Sequence, residues 1–150
     1  LETHPFRVEL AASLGAHVLD PFDEALDDLV REATGGWGVD ASIETSGVAA
    51  NPAVLARLSA RRARMAIIAW GSDITLPPLV PLGLDLHGCW HWNHQVHGTE
   101  MIATIRSNRE RLDTAITDRF DLERVSEAMD LQDTGRCGKV LLLPFGEAAL

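Results

Sequence analysis

Apolar residues recur along this chain in two rhythms, runs at helical spacing and short unbroken runs, with turn residues at the changes between them. Residues 7–14 carry Val8, Leu10, Ala11 and Leu14 at helical spacing; Pro5 lies just ahead, where a missing N–H costs little, and Gly15 follows as a left-handed cap. Residues 17–20 read as a short strand, and 23–33 as a helix with Leu26, Leu29 and Val30 on one face. A second strand is predicted over 40–45 and another helix over 52–58. The basic residues Arg57, Arg61, Arg62 and Arg64 then lead into an apolar strand over 65–70. Closely spaced Pro77, Pro78 and Pro81 predict an extended connection over 76–81, because proline suits neither a helix interior nor a central strand. Beyond it come a strand over 84–90, a helix over 96–107, a short strand over 115–120, a helix over 122–131 and a last apolar strand over 139–143. Strands separated by helices imply right-handed crossovers and a mainly parallel sheet, the α/β class.

Composition narrows the partners. The chain has 150 residues, 46% of them hydrophobic, and a formal charge of −9, which suits neither a nucleic-acid surface nor an anionic membrane. Cys89 and Cys137 lack a CxxC spacing, so two free thiols and a reducing, cytoplasmic compartment are expected. There is no apolar run near the roughly 20 residues that span a bilayer, and no basic segment followed by an apolar core at the start. A first residue of Leu1 suggests a piece of something longer.

The most telling stretch is 34–47, a glycine turn, a buried strand and a loop of small residues at Thr45, Ser46 and Gly47. Units of this kind build cofactor crevices in doubly wound sheets, yet here barely one helix and one strand precede it. Gly47 allows close backbone approach and Ser46 offers a hydroxyl, although small residues at such a turn need no ligand to explain them. A carboxylate on a buried strand usually pairs with a base, which makes Glu44 structural rather than a general base. His87, His91, His94 and His97 fall close together, but no Cys or acidic residue stands at a zinc spacing, so no metal site is assigned; with Trp90, Trp92 and Asn93 they suggest a substrate entrance or a subunit contact.

The order Glu2-Thr3-His4-Pro5-Phe6-Arg7, Leu14-Gly15-Ala16, Thr34-Gly35-Gly36, Gly38-Val39-Asp40 and Ile43-Glu44-Thr45-Ser46-Gly47 resembles the coenzyme domain of medium-chain, zinc-type alcohol dehydrogenases, nearest the polyol and threonine dehydrogenase branch. The similarity continues through Gly88-Cys89-Trp90, Ile116-Thr117-Asp118-Arg119-Phe120 and Gly135-Arg136-Cys137-Gly138-Lys139-Val140, and so covers nearly the whole chain. It implies an incomplete Rossmann-type parallel sheet. Residues 1–112 would be a partial dinucleotide-binding domain and 113–150 a C-terminal segment returning toward the missing catalytic domain. The family's G-x-G-x-x-G turn is nowhere in the sequence; Gly35-Gly36-Trp37-Gly38 precedes a strand instead of opening a helix. With the first strand and most of the second absent from a 3-2-1-4-5-6 sheet, the strand at 17–20 should either drift onto 40–45 or remain poorly paired, with an apolar edge prone to aggregation.

By the same resemblance, Glu2 would accept the adenosine ribose hydroxyls and repel a 2′-phosphate, favouring NAD over NADP, and Arg7 would lie near the adenosine end. Thr45, Ser46 and Gly47 would border the cofactor's ribose groups, Ile68, Ala69 and Trp70 the nicotinamide, and Cys89 and His91 the carboxamide. Lys139, with Arg136 as fallback, would reach the phosphates. None of these residues is implied as catalytic or as a metal ligand. The implied parent is an NAD-dependent oxidoreductase, a homo-oligomer moving a hydride between a secondary alcohol such as a polyol and the nicotinamide, with zinc held by ligands outside this chain; the isolated chain would be inactive. A zinc-free quinone reductase relative, or a noncatalytic module that binds nucleotide weakly or only dimerises, are the alternatives.

Overall fold

The computed structural model describes residues 1–69, 79–90 and 93–146. In chain order its elements are α1 (Pro5–Ser13), α2 (Leu26–Ala33), β1 (Val39–Glu44), α3 (Asn51–Leu58), β2 (Ser59–Ile67), α4 (Leu79–Leu82), β3 (Asp85–Gly88), α5 (His94–Ser107), α6 (Arg109–Ala115), β4 (Ile116–Asp121), a 3-10 turn (Leu122–Arg124), α7 (Val125–Asp133) and β5 (Lys139–Leu143). They fall into two compact units, residues 24–92 and residues 1–23 with 93–150. The fold class is α/β with parallel strands, as expected.

Residues 24–92 hold a three-stranded parallel sheet in the order β1-β2-β3, with Glu44 beside Ile67 and Ile67 beside Gly88. Its core is aliphatic. Leu26 and Val30 of α2, Ala56 and Leu58 of α3, and Ala60, Ala63 and Met65 of β2 are all buried. The apolar face of α2 was legible in the sequence, although Leu29 stays 36% exposed. Gly38 makes the tight entry to β1 possible: its φ is +87°, and a Cβ there would stand 2.6 Å from the Leu58 carbonyl oxygen and 2.9 Å from the Ala60 nitrogen.

The start of β2 is irregular. Pairing with β1 slips between Val39, opposite Ser59, and Ala41, opposite Arg64. Within the bulge Arg62 adopts a φ of 63°, and Arg61 and Arg62 are both exposed while Ala60 and Ala63 are both buried. Strict alternation from Ala60 would have aimed Arg62 inward, so the left-handed residue resets the phase and keeps the guanidinium out of the core.

In the other unit, β4 and β5 form a parallel pair joined through the 3-10 turn and α7. Ala128, Cys137 and Leu143 are buried there, and the Arg124 guanidinium lies 5.0 Å from the Phe120 ring centroid. Gly138 donates its N–H to Thr117 Oγ1 at 2.9 Å, and a Cβ on it would stand 2.5 Å from the Ala115 carbonyl oxygen. Helix α1 starts with Pro5 in its first turn and ends before Gly15 at φ +89°, as expected.

Several local expectations are corrected. Residues 17–20 form no strand; what remains is one bond from the Glu2 N–H to the Leu19 carbonyl at 3.3 Å, because a strand without a neighbour has nothing to hold its extended backbone. Residues 79–82 are a helical turn where an extended connection was expected, and Pro81 is tolerated because a first turn leaves its N–H groups unbonded anyway. Residues 76–78 of that connection lie outside the described residues. Helix α2 begins at Leu26, later than expected, and β2 begins earlier, taking in the arginines. Helix α6 was not expected. Among the described residues no helix is long and apolar enough to cross a membrane.

Candidate cofactor site

Parallel pairing brings the carboxyl ends of β1, β2 and β3 side by side, and the ladder runs one residue past each strand: the Ile68 N–H donates to the Glu44 carbonyl at 3.0 Å and the Cys89 N–H to the Ile67 carbonyl at 2.9 Å. Thr45, Ser46, Gly47, Ile68, Ala69 and Cys89 are thereby gathered along one edge of one sheet. Ligands of open α/β sheets bind outside that edge.

The loop after β1 is organised by Glu44, which is 3% exposed. Its carboxylate has no basic partner among the described residues, contrary to expectation. It accepts instead from the Ser46 N–H at 2.8 Å, from the Ser46 hydroxyl, and from the Gly47 N–H at 3.2 Å on each oxygen. Burial is the largest influence and opposes ionisation, but the bonds from Ser46 and Gly47 together outweigh it and hold the carboxyl below its ordinary value. Gly47, at φ +71°, supplies the left-handed residue that turns the chain onward after its N–H has met the carboxylate.

Ser46 is fully engaged. Its hydroxyl donates to Glu44 and accepts from the Val48 N–H at 3.1 Å and from Asn51 Nδ2 at 2.8 Å, which fills the capacity of a hydroxyl. The proton read as available to a ligand is therefore committed inside the loop. Thr45 is exposed, and its hydroxyl makes no hydrogen bond among the described residues. Ile68 is 50% exposed and presents an apolar surface along the same edge. Asn51 was missed in the sequence; the signal was an amide in the first turn of the helix following a serine loop.

Glu2, Arg7 and Lys139 belong to the other unit. Glu2 Oε1 accepts from the Thr3 N–H at 2.8 Å and the His4 N–H at 3.0 Å. The His4 N–H is the main influence holding the Glu2 carboxyl below its ordinary value; partial burial works against it, while the Thr3 N–H and the Arg7 charge assist. Lys139 is exposed at the first position of β5, opposite Ile116. Trp70 and His91 lie outside the described residues.

Of the four clustered histidines, three lie among the described residues. His87 Nε2 lies 3.1 Å from Asp85 Oδ2 on β3, whereas His94 and His97 sit on α5 in the other unit. Among the described residues no three His, Cys, Asp or Glu side chains are grouped as a metal site requires.

A family profile described as zinc-binding dehydrogenase matches residues 1–117. The L-threonine 3-dehydrogenase of Symbiobacterium thermophilum is 30% identical over 96% of this chain and 43% of its own length. The sorbitol dehydrogenase of Bacillus subtilis is 30% identical over 95% of this chain and 42% of its own. This chain therefore spans less than half the length of the curated relatives it matches. In fold it is similar to the 2R,3R-butanediol dehydrogenase of Bacillus subtilis, with a TM-score of 0.83 at 20% identity over 95% of this chain and 42% of that one.

Proposed function

Because the chain belongs to the zinc-binding dehydrogenase family, we propose that it is the nucleotide-holding part of an NAD-dependent oxidoreductase that moves a hydride between a small secondary alcohol and the nicotinamide, and that alone it does not turn over. The observation carrying this reading is the alignment of three parallel carboxyl strand ends beside a loop that Glu44 fixes from within. Residues 1–112 then act as part of a dinucleotide-binding domain, 113–150 return toward a catalytic domain, and the whole enzyme is a cytoplasmic homo-oligomer.

The described residues fit part of such a cofactor. Thr45 has an uncommitted hydroxyl for a ribose oxygen, and Ile68 and Ala69 provide an apolar wall for the nicotinamide ring, with the Cys89 backbone beside them. Glu2 carries the negative charge that disfavours a 2′-phosphate, and Lys139 a positive one suited to phosphate. The bound nicotinamide supplies the hydride-accepting carbon. The chain's own work is to orient that ring, to hold the ribose and to present a loop that needs no rearrangement on binding. No zinc donor set fits among the described residues, so no Lewis-acid step is assigned to this chain.

Titration of the isotope-labelled chain with NAD, followed through backbone amide resonances, tests the reading. The expected result is saturable shifts at Thr45, Gly47, Ile68, Ala69 and Cys89 with an affinity in the millimolar range, as befits a site without a glycine-rich phosphate cradle. Unperturbed amides along this edge would overturn the assignment of the site. Turnover of threonine or sorbitol by the isolated chain would overturn the claim that it is inactive alone.

A further inference from the structure

Residues 24–92 contain five basic side chains, Arg31, Arg57, Arg61, Arg62 and Arg64, and no lysine. All five lie toward the opposite end of the sheet from the candidate cofactor edge: Arg31 and Arg57 in the last turns of α2 and α3, the others in the first part of β2. The acidic residues Asp27, Asp28 and Glu32 of α2, Asp40 of β1 and Asp85 of β3 share this end of the sheet, so its charge is mixed and the arginines count individually.

At that end lies a cleft of about 100 Å³, whose lining includes Asp27, Val30, Arg31, Trp37, Arg57 and Leu58. Its frame is rigid. Thr34 Oγ1 donates to the Val30 carbonyl at 2.7 Å and accepts from the Gly38 N–H at 2.9 Å, and the Gly36 N–H donates to the Arg31 carbonyl at 2.7 Å. Asp27 and Arg57 are ion-paired with each other. That pairing leaves Arg31 as the cation of the cleft with no carboxylate partner among the described residues. Trp37 is 80% exposed, held in solvent between two glycines at φ +90° and +87° rather than folded into the core. A volume of this order holds roughly three water molecules, room for a carboxylate or phosphate group.

We propose that this cleft binds the oxyanion head group, carboxylate or phosphate, of a small ligand, with Arg31 as the ligating cation and Trp37 as the outer wall. A guanidinium matches both groups through paired N–H donors. Valine and leucine at the cleft exclude water from one side, which strengthens the charge-assisted bonds that form.

The test is a titration of the full chain with inorganic phosphate and, separately, with acetate, at ionic strength held constant with chloride. The readout is the indole N–H resonance of Trp37, assigned with Trp37→Phe. A saturable shift with either anion supports the site, and the stronger of the two names its head group. In Arg31→Gln the affinity should fall at least tenfold while the melting temperature is unchanged, and Arg31→Lys should retain part of the binding. A shift that never saturates, or one that chloride reproduces, overturns the proposal. So does undiminished binding in Arg31→Gln.

Discussion

Ser46 gives both of its donors to one oxygen of Glu44: its N–H lies 2.8 Å from Oε1, and its hydroxyl bonds the same atom. A buried carboxylate at the end of β1 thus replaces the water that the loop's N–H groups would otherwise need, and the loop keeps one shape. Glu44→Gln can keep the oxygen that takes both Ser46 donors, but it sets an NH2 group against the Gly47 N–H, which lies 3.2 Å from each carboxylate oxygen. The variant should lose about 1–3 kcal/mol at pH 7, the cost of leaving buried donors unsatisfied, as measured by urea denaturation.

The same carboxylate sets a pH dependence. Its folded value lies below the ordinary 4.5, so the stabilisation is complete above about that pH and is lost as pH falls through the depressed folded value. Urea denaturation at pH 7 and near pH 3 should show the gap between wild type and Glu44→Gln narrowing in acid. A gap of constant size would mean that the folded carboxyl titrates no differently from the unfolded one.

Gly38 and Gly36 separate two costs that usually travel together. Both have φ near +90°, but a Cβ at Gly36 meets nothing within 4 Å while one at Gly38 meets the Leu58 carbonyl oxygen at 2.6 Å. Alanine at Gly36 should cost about 1–2 kcal/mol, the left-handed penalty alone. At Gly38 the clash adds to it, for roughly 2–4 kcal/mol in total. Equal losses in chemical denaturation would show that β1 can move away from α3 and β2.

Much of this was written in the residues. Gly15 and Pro5 marked the ends of α1, and the run over 40–45 marked β1, because caps and alternation are local. The strand expected at 17–20 failed for a non-local reason: Val18 and Leu19 are suitable strand residues, but extended backbone needs a partner, and Leu19 receives only the Glu2 N–H. At the site, Thr45 and Gly47 were legible as small loop residues. The direction of Glu44 was not, because it depends on the Ser46 and Gly47 N–H groups folding back toward β1, and strand patterning carries no information about that turn. The positions of Arg61 and Arg62 followed neither rhythm, since a bulge changes the phase of a strand and leaves no apolar signature.

Arg62 is strained where glycine would be at ease, with φ at 63° and no hydrogen bond or ion pair of its side chain among the described residues. Arg62→Gly should stabilise the chain by about 0.5–1 kcal/mol, the relief of left-handed strain less the greater freedom of glycine when unfolded. Arg62→Ala keeps the strain and is the control. Thermal melts in which the two variants coincide would show that the strain is not stored at this position.

The open side of β1 sets the chain's behaviour in solution. Among the described residues β1 has β2 as its one strand neighbour in the sheet, and Ile43 on it is 63% exposed, with Val48 at 53% in the following loop. An unpaired, apolar strand edge is a template for association with another chain, and natural edges are blunted with lysine. Ile43→Lys should therefore leave the melting temperature nearly unchanged, since little burial is lost, while lowering the light scattering that wild type develops on concentration. The amides of 17–20 should exchange quickly in the same protein and those of Met65 and Ala66, in the centre of the sheet, slowly. Scattering that persists undiminished in Ile43→Lys would place the association elsewhere than the β1 edge.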